Sequence, residues 1–254
     1  MDRRWVVALA VVMLLSASPA ARSQDKEALA LIRKGIEAAG GQKVLESLKA
    51  AQSKSKGTIH YPPPTGDVAV TAEEFLQLPD KVRSNIQAVV GGRTEAVVVV
   101  YDGQKGWIQK SGKTEELDAK GLAEMKATLY ESRVGGLLEL LKDKDFQLTP
   151  VGEAKVDGRP AVGLLVKHAG QRDIRLYFDK GNGLLVKSAT LALDPLSGKE
   201  VPQEKVFADY KAVNGRQVPH KVAITQDGKR YMEVDIAEVR IVERLDPALF
   251  TRPK

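Results

Sequence analysis

The chain of 254 residues contains no cysteine, which excludes both a disulfide framework and a cysteine-based metal site. It has three histidines, His60, His168 and His220, each in a strand-like run without a second histidine or a carboxylate at the spacing of metal ligands. Only 5% of its residues are aromatic, and its Lys and Arg residues do not form a dense basic run. The sequence therefore indicates neither a metalloprotein nor a nucleic-acid-binding protein.

Sequence signatures of catalysis are missing as well. The chain has no GxSxG, no HExxH, no phosphate-binding loop and no GxGxxG. Asp143 and Asp145 flank Lys144 before a predicted strand, where a solvated loop explains them better than a pair of catalytic carboxylates. We therefore expect a protein without an enzymatic activity, a cofactor or a metal ion, while noting that residues distant in sequence can meet in a fold.

The N-terminus has the pattern of a secretory signal peptide. Two arginines precede an apolar run, Trp5–Leu15, that is too short to cross a bilayer of ~30 Å as a helix. Cleavage after Ala20 or after Ser23 fits the small residues that follow. We expect residues 1–23 to be removed, leaving one domain over residues 24–254 that is periplasmic or secreted and, without a lipobox cysteine, has no lipid anchor.

Two regions have the periodicity of helices. Residues 25–53 repeat apolar side chains at helical spacing, and Gly40-Gly41 is expected to divide them into two helices. Residues 117–142 return to helical spacing, and Gly135-Gly136 separates a first helix from a following LLELL segment. The second region lies between two long stretches that have a different period.

Those stretches alternate apolar and polar residues, as strands with one apolar and one wet face do. Asn-Gly or Asp-Gly pairs, which tolerate the positive φ of type I′ hairpins, separate the runs at positions 102–103, 157–158, 182–183, 214–215 and 227–228. The pattern predicts about eleven or twelve antiparallel strands, about five before the inserted helices and about seven after them. The predicted fold is mainly β, an incomplete antiparallel barrel or strongly curved sheet with an N-terminal helix.

The predicted strands near the C-terminus lead to three further predictions. In the hairpin Val206–Val222, Phe207 and Tyr210 have opposite parity and are expected on opposite faces of their strand. Pro219 has no N–H to donate, which indicates an edge or a gap in the hydrogen-bonded ladder. The apolar parity flips near Ala237-Glu238, which predicts a β-bulge there.

The inserted helices suggest where a ligand would bind. Helices inserted into a curved sheet bury their apolar face on its concave side, and incomplete cover leaves an apolar pocket beneath them. Trp107 either closes one end of the sheet or lines this pocket. The candidate ligand and lid residues are Trp107, Met125, Leu129, Leu137, Leu138 and Leu141, with Gly135 and Gly136 as a hinge for lid movement.

Three segments resemble a known family. Tyr101–Trp107 (YDGQKGW) and Phe207–Pro219 (FADYKAVNGRQVP) are similar to segments of outer-membrane lipoprotein-sorting proteins, as is the closing Leu245–Pro253. These proteins belong to a superfamily with the periplasmic lipoprotein carriers and mycobacterial lipid-binding lipoproteins. The resemblance implies an incomplete barrel of about eleven strands under a helical lid, which holds acyl chains without a cofactor and without catalysis.

Three functional hypotheses follow. The first is a periplasmic binding protein or carrier for lipid acyl chains or lipidated proteins. Transient contact to membrane surfaces is compatible with the net charge, which is +6 for the whole chain and about +4 without residues 1–23. The second is an envelope sensor or interaction module that docks a protein partner on the same fold. The third is a hydrolase, which requires a cluster of polar residues inside the cavity.

Overall fold

The computed structural model describes residues 19–194 and 196–254, so most of the expected signal peptide lies outside the described residues. The helical elements are α1 (Pro19–Ala38), α2 (Gln42–Ser47), α3 (Ala119–Gly135), α4 (Glu139–Lys142) and a closing 3₁₀ turn (Pro247–Phe250). Within the described part of the chain, none of the helices combines the length and the apolar character needed to span a bilayer.

The described residues also contain thirteen strands. The first half contains β1 (Ala50–His60), β2 (Asp67–Gln77), β3 (Lys81–Val90), β4 (Arg93–Tyr101), β5 (Gly106–Lys110) and β6 (Lys113–Glu116). The second half contains β7 (Gln147–Val156), β8 (Arg159–Lys167), β9 (Ile174–Asp179), β10 (Leu185–Leu193), β11 (Glu200–Val213), β12 (Arg216–Gln226) and β13 (Lys229–Val242).

All the strands belong to one open antiparallel sheet with the order β6-β5-β4-β3-β2-β1-β13-β12-β11-β10-β9-β8-β7. β1 pairs with β13, with Ala50 opposite Val242, and this pairing joins the two halves of the chain. β6 and β7 are the two edges, and the segment that contains α3 and α4 connects them. The expected incomplete barrel is confirmed, with one strand more in the first half because β6 (KTEE) has no apolar side chain to reveal its period.

The turns confirm most of the local expectations. Positive φ at both residues of the pair occurs at Asp157-Gly158, Asn214-Gly215 and Asp227-Gly228. Asp102-Gly103 and Asn182-Gly183 form wider turns instead. The Asp102 carboxylate accepts hydrogen bonds from the N–H groups two and three residues further on, at 2.8 and 2.7 Å, and this side-chain bonding replaces the tight hairpin turn.

Two irregularities of the sheet also agree with the sequence. The register between β1 and β13 shifts opposite Ala237, which confirms the predicted bulge. Pro219 pairs with Tyr210 of β11, whereas the pairs between β12 and β13 begin only at Lys221. Pro219 therefore lies at a gap in the ladder of an interior strand and not on an edge strand.

The main core lies between α1, the α3–α4 segment and the strands β8 and β9. Ile32, Leu176 and Phe178 are all at most 2% exposed, and burial of each such side chain contributes about 1.5–3 kcal/mol. Gly35 allows this close packing, because a Cβ at that position would lie 2.8 Å from Phe178 and 3.0 Å from Leu137. α1 is therefore in direct contact with both the sheet and the turn that follows α3.

Candidate ligand-binding cavity

A cavity of about 870 Å³ lies between the helices and the sheet, where α2 and the α3–α4 turn approach β10, β11 and β12. Its apolar wall includes Leu45, Leu48, Leu76, Leu138, Leu185 and Phe207. The volume is within the range of small-molecule sites, roughly 300–1,000 Å³. The position agrees with the sequence-based expectation of an apolar pocket beneath inserted helices.

The cavity forms where β12 and β13 separate. Before Lys221, β12 pairs only with β11, and Arg216, Gln217 and Pro219 from this part of the strand line the cavity. The N–H of Gln217 donates instead to the carbonyl of Ala39, just after α1, at 2.9 Å. The end of the first helix therefore takes the place of a neighbouring strand at this point.

The hairpin between β11 and β12 rests on the break between α1 and α2. Gly40 has φ of 125°, and a Cβ there would lie 2.4 Å from the carbonyl oxygen of Gly215 at the hairpin tip. Val44 of α2 lies beside Gly215 in the same contact, 3.4 Å from the position of a Cβ. The Gly-Gly pair thus ends the first helix and also provides the space for this contact, which lies beside Ala39 and Arg216 of the cavity lining.

Two of the expected lid residues, Leu137 and Leu138, line the cavity, as do both expected hinge residues, Gly135 and Gly136. Gly136 has φ of −72°, so the residue with left-handed backbone in this turn is Leu137, with φ of 67°. A positive φ is strained for a residue with a branched side chain. Leu137 is nevertheless 3% exposed and packs against α1, so its burial in the core holds the turn in this conformation.

The other expected lid residues lie outside the cavity. Leu129 is 7% exposed within the fold, and Leu141 packs at the margin of the main core. Met125 is half-buried on α3, more than two turns before the α3–α4 turn. Of the predicted lid and hinge residues, the structure thus brings only those of the break between α3 and α4 to the cavity.

Trp107 lies on the opposite face of the sheet. A row of residues paired across β2, β3, β4 and β5 shares its face: Phe75, Arg83, Val100 and Trp107. The guanidinium of Arg83 donates to the carbonyl of Leu249 at 3.1 Å, so the C-terminal segment covers this row. Leu76, which points to the other face of β2, lines the cavity instead. The structure therefore places Trp107 in an outer layer, at 9% exposure.

The expectation that Phe207 and Tyr210 face opposite sides is wrong, because both line the cavity. Asp209, between them, has φ of 52°, which interrupts the pleat that would alternate the two side chains. The Tyr210 hydroxyl donates to the carbonyl of Leu185 on β10. The alternation of side chains along the sequence does not predict this local change in backbone conformation.

The cavity also contains a carboxylate with two partners. Glu131 of α3 accepts a hydrogen bond from the Ser188 hydroxyl at 2.9 Å and forms an ion pair with Lys205 at 2.6 Å. The polar lining that the hydrolase hypothesis requires is thus present. Both carboxylate oxygens are engaged, however, which favours a structural role in which Glu131 ties α3 to β10 and β11.

Two further ion pairs fasten the turn above the cavity. Arg133 and Glu139 approach to 2.7 Å across the break between α3 and α4, and Lys142 of α4 pairs with Glu46 of α2 at 2.9 Å. The hydrogen bond from Lys142 is the main cause of a lowered pKa of the Glu46 carboxyl. Glu46 is at the surface, so this pair is a weak and salt-sensitive link between lid and wall.

Comparisons with known proteins agree with this architecture. No protein-family model and no curated protein sequence matches the chain. Among solved structures, a LolA superfamily protein from Nitrosomonas europaea matches with a TM-score of 0.52 at 12% identity, over 89% of this chain and 97% of that one. The chain has the fold of the LolA superfamily.

Two more solved structures share this fold. A domain assigned as an outer membrane lipoprotein-sorting protein, from Vibrio parahaemolyticus, matches with a TM-score of 0.52 at 11% identity, over 86% of this chain and 97% of its own. A DUF1329 family protein from Desulfovibrio piger matches with a TM-score of 0.55 at 11% identity, over 88% of this chain and 97% of its own. At such low identity, the likeness concerns the LolA-superfamily fold alone.

One cluster outside the cavity departs from the sequence-based interpretation. His168 lies 3.5 Å from Asp143, and the possible ligand atoms of His168, Asp143 and Asp145 all lie within 4.8 Å of one another. The sequence had shown no carboxylate at the spacing of metal ligands from this histidine, because Asp143 and Asp145 are far from it along the chain. Both aspartates are exposed, and the histidine ring packs on Phe146 at 4.8 Å, so a polar contact at the surface accounts for the arrangement.

Proposed function

We propose that the protein binds and carries lipids or lipidated proteins outside the cytoplasm, without catalysing a reaction. The observation that carries this proposal is the cavity of about 870 Å³ beneath the α3–α4 turn. The fold that this chain shares with a lipoprotein-sorting domain also supports the proposal. The export pattern of the N-terminal sequence supports a location in the periplasm or beyond.

An acyl chain suits the apolar wall of the cavity. Leu138, Leu185 and Phe207 offer the kind of surface onto which an alkyl chain transfers from water, at about 0.8 kcal/mol for each buried CH₂. A chain of ordinary length therefore binds firmly even when only part of it is covered. No cofactor is required for such binding.

The α3–α4 turn acts as the lid in this proposal. It carries Leu138 over the cavity, and the surface ion pair between Lys142 and Glu46 attaches it to α2. The Arg133–Glu139 pair lies within the turn itself. Surface ion pairs contribute about 0–1 kcal/mol each, so they do not prevent opening. Gly135 and Gly136 provide the hinge that lets a ligand enter and leave.

The test is a charged substitution in the lid. Leu138→Glu places a carboxylate on the wall of the cavity, and because desolvation of a charge opposes acyl-chain binding, we expect affinity for palmitate to fall by at least about tenfold. The measurement is titration of delipidated protein with palmitate, with circular dichroism to verify the fold. The matched control is Leu191→Glu, since Leu191 is 42% exposed on β10 and lies outside the cavity lining.

Two results would contradict the proposal. If folded Leu138→Glu protein binds palmitate as the wild type does, the lid is not part of the binding site. Wild-type protein that binds no palmitate, and yields no lipid in an organic extract of material purified without detergent, would argue against lipid carriage altogether. A stable complex with an envelope protein in that case would favour the interaction module.

A further inference from the structure

The cavity lining carries more positive than negative charge. Its three carboxylates are each held by a cation: Glu131 by Lys205, Glu139 by Arg133 and Glu46 by Lys142. Two further cations line the same cavity, Lys49 and Arg216, and among the described residues neither side chain forms an ion pair. A cavity with unpaired cations attracts ligands that bring their own negative charge.

Of these two cations, Arg216 is the one that lies inside the cavity. Lys49 is exposed at the rim, whereas Arg216 is partly buried at the first position of β12, where that strand has separated from β13. Burial lowers the pKa of Arg216, and nearby Tyr210 opposes this shift. An arginine stays protonated in proteins, so the cavity holds a fixed and partly desolvated positive charge.

The neighbours of Arg216 do not neutralise it. Burial raises the pKa of the Tyr210 hydroxyl, so Tyr210 is uncharged at physiological pH. Glu74 is a carboxylate on the face of β2 that also carries Leu76, but the charge that acts on it is that of Lys205. A buried charge without a partner is costly, and the cost is removed when a ligand supplies the partner.

We propose that Arg216 binds the anionic group of the ligand, so that the cavity takes amphiphiles with a carboxylate or phosphate at one end and an acyl chain at the other. The guanidinium presents a planar pair of donors that matches either group. The acyl chain then follows the wall that contains Leu138 and Phe207. This inference rests on the proposed function, to which it adds the chemical class of the ligand.

The test compares three probes with chains of sixteen carbons. Palmitate offers a carboxylate, palmitoyl lysophosphatidylglycerol offers a phosphate, and hexadecanol offers no charge. We expect the delipidated wild-type protein to bind at least one of the anionic probes about tenfold or more tightly than hexadecanol, since a charge-assisted contact is added. Which anionic probe is preferred distinguishes a fatty-acid from a phospholipid source, and inorganic phosphate at equal concentration should not compete.

Variants then assign the preference to one residue. Arg216→Gln should reduce binding of the preferred anionic probe by about tenfold and leave hexadecanol binding unchanged, whereas Arg216→Lys should retain part of the preference. Arg175→Gln is the matched control, because Arg175 is exposed on the face of β9 that points away from the core. This control removes the same charge without touching the cavity.

Each outcome has a definite meaning. Equal affinity of the wild type for hexadecanol and for both anionic probes would overturn the anion proposal while lipid binding itself stands. Equal loss of all probes in Arg216→Gln, with Arg216→Lys no better, would also overturn it. Failure of the wild type to bind any of the three probes would overturn the proposed function, and the anion proposal with it.

Discussion

The two halves of the sheet are covered very differently. In the second half, β8 and β9 are packed beneath α1 and the α3–α4 segment, and Leu164 and Leu176 are completely buried. In the first half, β3 carries Val89 and Val90 with more than 40% of their surface exposed, and residues 97–99 of β4, all valines, are only partly covered. Antiparallel hairpins of the same kind are therefore buried beneath helices in the second half and are partly exposed in the first half.

The difference shows where the cavity must lie. The helices of the described chain pack against the second half of the sheet. The cavity occupies the boundary, where Leu76 of β2 faces Leu138 and the strands β11 and β12. The proposed carrier function needs one part that stays folded while another part opens, and unequal cover of a single sheet would provide both.

The largest expected effect comes from breaking the packed half. Leu176→Ala should lower the free energy of unfolding by about 2–5 kcal/mol, because it leaves a cavity in a fully buried site. Ile86→Ala is the matched change in the open half and removes the same number of carbons from a half-buried side chain. Urea denaturation of the two variants should show less than half the loss for Ile86→Ala, and equal losses would contradict the comparison.

A second test uses one hydroxyl from each half. Tyr130, in the main core, has a buried hydroxyl with no hydrogen-bond partner among the described residues, whereas the Tyr101 hydroxyl donates to the carbonyl of Gly103 at 2.8 Å. Tyr130→Phe should therefore raise the free energy of unfolding by about 1 kcal/mol, while Tyr101→Phe should lower it by about the same amount. Urea midpoints at pH 7 measure both, and changes of equal sign would contradict the assignment.

The buried hydroxyl of Tyr130 also predicts that the free energy of unfolding depends on pH. Burial raises the pKa of Tyr130 to about 12, above the value of about 10 for an unfolded tyrosine. The unfolded chain therefore loses this proton first, and the stability present below pH 10 declines as the pH rises towards 12. Between these values, Tyr130→Phe should lose less stability than the wild type, as measured by urea midpoints at pH 9 and 11.

The smallest expected effect concerns the lid. Gly135 has room for a methyl group, since a Cβ would meet only Leu185, at 3.9 Å. Gly135→Ala should stabilise the protein by about 0.4–1 kcal/mol through the entropy of the unfolded chain. If this glycine is the hinge, the release rate of bound palmitate should also fall in stopped-flow exchange. Greater stability with an unchanged release rate would show that Gly135 is not a hinge of the lid.

The residues of the candidate site were only partly predictable. Leu137 and Leu138 were found because Gly135-Gly136 interrupts a helical period, which is a local signal. Trp107 was proposed for the same site, but its face is decided by pairing across four strands and by the C-terminal segment that covers it. Arg216 was not recognised, because an arginine after a hairpin turn is usually solvated and nothing nearby in the sequence marks it as buried.

What the sequence determined by itself is local. The period of two, the Gly-containing turns and the Gly40-Gly41 break specify strands, reversals and helix ends, because each depends on a few adjacent φ and ψ angles. The pairing of β1 with β13, the separation of β12 from β13 before Lys221 and the unpaired charge of Arg216 exist only in the folded chain. They bring together residues far apart along the chain, so only the tertiary structure could decide where the cavity opens and what charge it holds.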